Sequence, residues 1–348
     1  MVWLLLLAAL ALVALGWCSS HHWQGWFHRW RVGRYYATTH LRTHQLRRDH
    51  KPSTRTSTTP PYRVGHIVRC DYRDSASAPP ARSGSLRIVS WNIEFGCSYK
   101  LAEVVTELRR LDADVVLLQE VDWCHAPDDA PTPFTHDAFH EIASALGLAG
   151  IWAPHYAYQG EGHRGAWGNA ILTRFAIEHE HDRFVPLRHL FDYDRVHLEV
   201  CCGISVRVRQ FERVVRHLQS YELGDEDRVV IGGDLNTFGH GLLRLSPFHC
   251  NDAYRFRSLF YEEAQWWEER VLPALLKGRG TALARLADPF EKSAQHTLAG
   301  GPMGVFAGKL DWLFLDPAAL PVLRTAVGTG TQSDHAWISV DVSIPLKL

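Results

Sequence analysis

The chain has 348 residues, of which 46% are hydrophobic and 11% aromatic, so it can bury a core and a wholly disordered chain is excluded. Its formal net charge of −1 hides an asymmetry: residues 1–83 carry 12 Lys and Arg against 3 Asp and Glu, whereas residues 84–348 carry 25 against 35. Because phosphate backbones bind basic surfaces, the acidic part is poorly suited to clamp nucleic acid in general, but its carboxylates suit divalent cations.

The first 18 residues form a hydrophobic segment. Val2 to Trp17 are sixteen apolar residues without a charge, slightly fewer than the roughly 17–25 that a membrane-spanning helix needs. The basic residues follow this segment, which favours an uncleaved membrane anchor with the rest of the chain on the cytosolic side. The alternatives are a secretory signal, cleaved after the small-x-small sequence Ala14-Leu15-Gly16, and a buried helix. We expect the anchor, with secretion as the first alternative.

Residues 19–83 are basic and rich in Ser, Thr, Pro and His. Such a composition cannot bury enough apolar surface to offset the entropy of the chain, so it predicts a linker. The linker is either a solvated tether or a polybasic segment that lies on anionic lipid. The seven cysteines are irregularly spaced and include no CxxC pair, which argues against a zinc site of that type and favours free, mostly buried thiols.

From residue 84 onward, short apolar runs alternate with segments of helical periodicity. The apolar runs predict strands at residues 86–91, 114–119, 169–173, 196–201, 228–233, 310–315 and 336–344. Helical spacing predicts helices at residues 100–111, 137–146 and 206–218, and the stretch 240–308 reads as mostly helical. This alternation is typical of an α/β domain of layered sheets and helices.

Polar side chains fall in or at the ends of these strands, which is where α/β proteins place their chemistry. The residues are Asn92, Glu94, Glu120, His197, Asp234, Asn236, Asp311, Asp334 and His335. Any one of them has a structural explanation as a turn, cap or core residue. Together they indicate a shared site.

Seven motifs that carry these residues resemble, in order and spacing, the metal-dependent endonuclease/exonuclease/phosphatase superfamily. The motifs are WNIEFG (91–96), LLQEVD (117–122), GNAIL (168–172), VHLE (196–199), GGDLN (232–236), LDWLF (310–314) and SDH (333–335). The resemblance covers roughly residues 86–344 and implies a catalytic domain at 84–348. It implies a four-layer α/β sandwich, in which two packed mixed β-sheets are flanked by helices, and hydrolysis of phosphate esters with Mg²⁺ or Mn²⁺.

By this resemblance, Glu120 is the principal metal ligand. Asn92 and Asp334 join it directly or through water, and Glu94 stands where the family carries a further acidic residue. Oxygen ligands of this kind suit Mg²⁺.

The resemblance also implies roles in catalysis. His335 is the general base or a contact to phosphate, and Asp311 orients it. Asp234 positions or deprotonates the attacking water, and Asn236 donates to the negative charge that develops on the phosphate oxygens. Whether Asp234 or His335 takes the proton stays open.

His197 is similar to the general acid of the DNase I-like and sphingomyelinase-like branches of the superfamily. Asn169, and His163 with Arg164 in the loop before it, are expected to shape the site or contact the substrate.

These residues predict a Mg²⁺-dependent phosphodiester hydrolase, acting on nucleic acid as a nuclease or on another phosphodiester. The alternatives are a membrane-tethered, sphingomyelinase-like lipid phosphodiesterase and a non-catalytic scaffold of the same fold. The partners expected are therefore a nucleic acid or phospholipid substrate and, through the first 18 residues, a membrane. The oligomeric state stays open.

Overall fold

The computed structural model describes residues 67–73, 84–94, 100–126, 134–160, 163–177, 204–221, 228–237, 263–276, 281–290, 297–298, 308–328 and 332–344. The segment 1–18 and most of the expected linker lie outside these residues. Within them, no helix has both the length and the apolar character needed to cross a membrane.

Strands and helices alternate along the described chain. The elements are β1 (Val68–Asp71), β2 (Ser85–Asn92), α1 (Leu101–Leu111), β3 (Val115–Ala126), β4 (Phe134–Asp137), α2 (Ala138–Leu146), β5 (Ala149–Gly160), β6 (His163–Thr173), α3 (Ile204–Gln219), β7 (Val230–Asp234), α4 (Glu263–Trp266), a π-helical turn (Trp267–Val271), α5 (Leu272–Leu276), α6 (Thr281–Ala284), β8 (Asp311–Leu315), β9 (Val322–Val327) and β10 (Ile338–Ser343).

The described strands form two sheets. The larger is mixed, with the order β1-β5-β6-β3-β2-β10-β9, and β4 pairs with the far end of β3. Within it, β2 and β3 run parallel and the other neighbours run antiparallel. The smaller sheet is the antiparallel pair β7–β8.

Three hydrophobic clusters divide the molecule into four layers. Val89 and Trp91 of β2 face α1 and α2, whereas Ile88 faces the second sheet, as the period of two in a strand requires. In β8 the alternation places Leu313 between the sheets and Trp312 against the helical layer formed by α3, the π-helical turn and α5. The predicted α/β sandwich, with two packed sheets flanked by helices, is therefore confirmed.

Local signals in the sequence explain where the helices begin and end. Asp137 accepts the backbone N–H of His140 at 3.1 Å and so caps the start of α2. Gly147 ends α2 with a φ of 65°, a left-handed conformation that glycine adopts without a Cβ clash. Helix α1 has Glu103 in its first turn and Arg109 and Arg110 in its last, which complements the helix dipole.

The structure confirms six of the seven predicted strands and all three helices for which the sequence predicted first and last residues, although the ends of these elements shift. The seventh strand, 196–201, lies outside the described residues. In the stretch 240–308, described residues are helical between 263 and 284, and most of the remainder lies outside the description. Four strands were not predicted: β1, β4, β5 and β9. Strand β1 corrects the linker prediction locally, because it pairs with β5 and packs on the core although it lies within 19–83.

Candidate functional site

The site is built at the end of β2. Trp91 points to the helix-side core, so strand alternation directs its neighbour Asn92 toward the second sheet, where it is 1% exposed. The amide nitrogen of Asn92 donates to Glu120 Oε1 at 3.2 Å and to Asp234 Oδ2 at 3.1 Å. Its amide oxygen accepts the backbone N–H of Glu94 at 3.0 Å. In this arrangement Asn92 links two carboxylates by donating a hydrogen bond to each.

A β-bulge in β3 brings Glu120 to the same place. The pairing of β3 with β6 is regular up to Leu118 and resumes at Val121 in a shifted register. Leu118 and Val121 both face the helix-side core, so two residues, Gln119 and Glu120, occupy an interval that holds one residue in a regular strand. Glu120 has a left-handed φ of 56°. Without the bulge, alternation would send its carboxylate into the apolar core instead of toward Asn92.

The carboxylate of Asp234 comes from the second sheet. Strand β7 ends at Asp234, which pairs with Asp311 at the start of β8. Gly232 allows the sheets to approach closely here, because a Cβ at this position would lie 2.5 Å from the Leu117 side chain. Asp234 accepts the backbone N–H of Asn236 at 2.7 Å and its amide N–H at 3.1 Å. Asn236 is thereby held against the carboxylate that the sequence predicted to position water.

His335 lies between two carboxylates. Its Nδ1 is 2.8 Å from Asp311 Oδ2, and its Nε2 is 3.9 Å from Asp234 Oδ2. Its backbone is also held, because the Trp91 indole donates to its carbonyl at 3.0 Å and its N–H donates to Ser333 Oγ at 3.1 Å. His335 is 6% exposed. These contacts therefore set the orientation of its imidazole.

Three of the predicted residues lie at the margin of the array. Asp334 is exposed beside His335, and its charge acts on both His335 and Glu120. Glu94 contacts Asn92 through its backbone N–H. Asn169 is exposed on β6, opposite the bulge of β3.

The structure therefore brings together six of the twelve predicted residues, Asn92, Glu120, Asp234, Asn236, Asp311 and His335. His197, the predicted general acid, lies outside the described residues. His163 and Arg164 begin β6, but their side chains are likewise outside the description. The chemical roles given to all twelve residues stay predictions.

The array concentrates negative charge in a buried place. Burial, together with the charge of Asp234, raises the pKa of Glu120 to about 7, against the lowering effect of the Asn92 hydrogen bond. Burial also raises the pKa of Asp234 to about 6, and the positive charge of His335 opposes this rise. Burial alone would lower the pKa of His335, but the charges of Asp311 and Asp234 and the hydrogen bond to Asp311 outweigh it and raise this pKa to about 10.

These residues fit a divalent cation. One ligand atom from each of Asp234, Asp311 and His335 lies within 4.8 Å of the others. The Oδ1 atom of Asp311 is buried without a hydrogen-bond partner among the described residues. The carboxylate oxygens suit Mg²⁺ or Mn²⁺, whose charge would offset the crowded carboxylates, whereas an imidazole is a ligand that softer divalent metals prefer. This geometric cluster adjoins the predicted ligand group around Glu120 but does not coincide with it.

The sequence analysis missed two buried hydroxyl groups that hold the site. Ser333 Oγ donates to the carbonyl of Asn92 at 2.7 Å. Thr297 Oγ1 accepts the backbone N–H groups of Leu310 and Asp311 at 2.9 and 3.0 Å. Ser333 stands in the SDH motif, which is a usable signal. Thr297 carries none, because a single threonine in a connecting segment has no pattern around it.

Comparisons with solved structures give distant likenesses. An endonuclease/exonuclease/phosphatase from Beutenbergia cavernae DSM 12333 is 16% identical, with 75% of this chain and 72% of that chain covered and a TM-score of 0.45. A humanized D. rerio TDP2 with 14 mutations is 15% identical, with 74% and 99% covered and a TM-score of 0.45. A family protein from Leptotrichia buccalis C-1013-b is 13% identical, with 74% and 100% covered and a TM-score of 0.43. At such scores these likenesses support no argument about the site.

The match to a protein family is more extensive. A search of curated proteins found no match. The sequence model of the endonuclease/exonuclease/phosphatase family, in contrast, matches residues 89–335, more than two thirds of the chain, from Val89 within β2 to His335. The chain belongs to the endonuclease/exonuclease/phosphatase family.

Proposed function

We propose that this protein hydrolyses phosphodiester bonds in a reaction that depends on Mg²⁺ or Mn²⁺, with nucleic acid as the first substrate class to test. One observation carries the proposal. A continuous array runs from Glu120 through Asn92 and Asp234 to His335 and Asp311, with separations of 3.2, 3.1, 3.9 and 2.8 Å between contacting atoms. The array contains three carboxylates, an imidazole and an amide in one buried cluster.

This set of groups suits a phosphodiester because the ester's negative charge repels a nucleophile. When bound, a divalent cation supplies positive charge that offsets the charge of the phosphate. Glu120 is the proposed principal ligand, with Asn92, Asp334 and Glu94 as its predicted companions. Without a cation, burial disfavours the charged forms of the Glu120 and Asp234 carboxylates. A bound divalent cation would stabilise these charged forms.

The protein groups then orient the reaction. Asp311 fixes the Nδ1 side of His335, which leaves Nε2 directed toward Asp234. A single oxygen atom between Nε2 and Asp234 Oδ2 would contact both groups. Asp234 is one proposed acceptor of the proton of an attacking water. His335 is the other, but with a pKa raised to about 10 its imidazole must first lose its own proton. Asn236, held by Asp234, is the proposed donor to a phosphate oxygen. His197 is the proposed acid to the leaving oxygen.

Two other functions rest on weaker support. A lipid phosphodiesterase at a membrane depends on the apolar segment Val2 to Trp17, which lies outside the described residues. The same segment carries the proposal that the chain is membrane-anchored, or else secreted after cleavage. A non-catalytic scaffold is disfavoured by the intact array.

The test is hydrolysis by the full chain of a labelled DNA oligonucleotide, an RNA oligonucleotide, sphingomyelin vesicles and bis(p-nitrophenyl) phosphate. Each substrate is assayed with Mg²⁺, with Mn²⁺ and with EDTA. We expect turnover that requires the cation and that falls by roughly 10³-fold or more in Asp234→Asn and His335→Ala.

Asp341→Asn is the matched control, because Asp341 is a half-buried carboxylate of the large sheet that pairs with Arg87 at 2.6 Å, at the end of β2 away from Asn92. This variant should keep wild-type turnover. Cation-dependent cleavage of sphingomyelin alone would shift the substrate to a lipid. Full activity in Asp234→Asn, or no turnover of any diester by folded wild type, would defeat the proposal.

A further inference from the structure

The imidazole and the carboxylate that face each other in the site come from different sheets. Asp311 begins β8 in the small sheet, whereas His335 precedes β10 in the large sheet. Their 2.8 Å contact is therefore only as well fixed as the relative position of these two strand ends. A residue that bonds to both ends would set this contact.

Thr297 makes such bonds and is 3% exposed. On the small-sheet side, its Oγ1 accepts the N–H groups of Leu310 and Asp311, and its own N–H donates to the Gly308 carbonyl at 2.9 Å. On the large-sheet side, its carbonyl accepts the N–H of Ala336 at 2.7 Å.

The residue after Thr297 repeats this connection through its backbone. Leu298 exchanges backbone hydrogen bonds with Gly308 at 3.0 and 3.1 Å, and it forms a second, antiparallel bridge with His335. The segment 297–298 is thus a two-residue tie between the start of β8 and the loop that carries the imidazole.

We infer that Thr297 is a positioning residue that fixes the Asp311 carboxylate against His335. The hydroxyl oxygen is the one side-chain atom of the tie that bonds to the backbone of Asp311 itself. Removing it leaves two buried N–H groups without their acceptor, and the backbone of Asp311 must shift to find another. The carboxylate moves with that backbone, so the imidazole loses its fixed partner.

The expected effect on turnover rests on the proposed function. Small displacements of catalytic groups lower rates steeply, so we expect Thr297→Val to reduce kcat about 10- to 100-fold with KM changed by less than about threefold. Thr297→Ser keeps the oxygen and loses only a methyl group. It should stay within about threefold of wild type in kcat. Thr297→Ala, assayed beside Thr297→Val, also removes the oxygen and adds no bulk. If only one of the two variants folds, that variant is sufficient for the test.

A second readout does not need activity. An imidazole N–H bonded to a carboxylate gives a downfield proton resonance, which can be assigned to His335 by its loss in His335→Gln. Thr297→Val should shift or remove this resonance, and Thr297→Ser should retain it. The matched control is Thr173→Val. Thr173 is also buried, and its hydroxyl donates to the Asp114 carbonyl and accepts the Phe175 N–H, but it lies at the end of β6 that is away from the site. The Thr173→Val variant should leave both kcat and the resonance unchanged.

Loss of kcat and of the resonance in Thr297→Val, with both kept in Thr297→Ser, supports the inference. A folded variant without the oxygen that keeps either the wild-type kcat or the wild-type resonance overturns it, because Thr297 would then not act through this contact. If the wild type turns over no diester, the proposed function has failed, and the resonance alone decides whether Thr297 positions the pair.

Discussion

At the residue scale, the placement of Glu120 lowers the stability of the fold but suits the proposed role of its carboxylate as a metal ligand. It has a left-handed backbone, and its half-buried side chain lies near the carboxylate of Asp234. Of the four non-glycine residues with positive φ in the described chain, Glu120 and Asn236 belong to the site and Glu94 lies at its margin. Local strain of this kind persists where the surrounding structure imposes it, and it concentrates at functional positions.

This conflict predicts that Glu120→Gln stabilises the protein while it abolishes turnover. A carboxyl group with a folded pKa of about 7, raised from 4.5, loses stability as pH rises between these values, so the full penalty applies at pH 8. In EDTA at pH 8, the free energy of unfolding should rise by on the order of 2 kcal/mol, after allowance for the exposed part of the residue. Urea denaturation measures the difference. Glu107→Gln is the control, since Arg110 lowers the pKa of Glu107 and loss of that charge should not stabilise. A less stable Glu120→Gln in EDTA would contradict the argument.

A second residue-scale prediction concerns His136, whose Nε2 lies 3.1 Å from Asp122 in a buried pair. Burial alone would lower its pKa, but Asp122, Glu141 and Asp137 outweigh this effect and raise it to about 9 from 6.5. The stabilisation is therefore complete below pH 6.5 and is lost as pH rises through about 9; it corresponds to on the order of 3 kcal/mol. The difference in unfolding free energy between wild type and His136→Gln should shrink between pH 6 and pH 10. A difference that does not change with pH would show that the imidazole is neutral throughout.

At the scale of elements, Lys309 joins three segments. Its side chain is 7% exposed, and its Nζ lies 2.8 Å from Glu268 in the π-helical turn and 2.6 Å from Asp288 after α6. It also lies 4.0 Å from the ring centroid of Trp312. Lys309→Met would leave two carboxylates buried without their cation, so we expect a loss of about 3–5 kcal/mol in unfolding free energy.

Two variants separate this charge effect from lost packing. The triple variant Lys309→Met/Glu268→Gln/Asp288→Asn should recover much of the loss, because no buried charge is left unpaired. Arg216→Met, in the exposed pair with Glu212, should change stability little. An equally unstable triple variant would assign the loss to packing on Trp312 instead.

The elements also show what the sequence could predict. The start of β3 and most of β8 are continuous apolar runs, and α2 has both a capping aspartate and a terminal glycine, so these were predictable. Strand β5 was not, because Pro154 interrupts its pattern. The structure accommodates this proline at a shift of register, where a ladder hydrogen bond is not required. Strand β9 is exposed along most of its length, so it lacks an apolar signal.

The candidate site, too, was predictable from the sequence only in part. The position of polar residues at strand ends was readable, because alternation and the apolar runs fix where a strand stops. The bulge that redirects Glu120 was not readable, since it depends on the register between β3 and β6. The tie through Thr297 depends on two sheets meeting in three dimensions, and nothing local in the sequence encodes it.

At the scale of the whole molecule, composition places the start of the folded unit too late. The average composition of residues 19–83 hides a local pattern at residues 67–73, where apolar residues alternate with charged ones, and Val68 and Cys70 pack on the core of the large sheet. The backbone N–H of Tyr72 donates to Leu148 at 3.1 Å, and its hydroxyl contacts His140 at 2.8 Å. The alternation of apolar and charged residues suits a half-buried strand, and pairing with β5 completes it.

This boundary can be tested by shortening the chain. A chain that starts at residue 66 keeps β1, whereas one that starts at residue 74 removes it and exposes the edge of β5. We expect the shorter chain to lose on the order of 2 kcal/mol in unfolding free energy, because Val68 and Cys70 no longer cover the core, and to aggregate through the open strand edge. Urea denaturation and light scattering of both chains beside the full chain measure these effects. Equal denaturation midpoints for the two shortened chains would return residues 67–73 to the linker. The chain that starts at residue 66 should keep whatever turnover the full chain has, because the site lies at β2, β3, β7, β8 and the loop before β10.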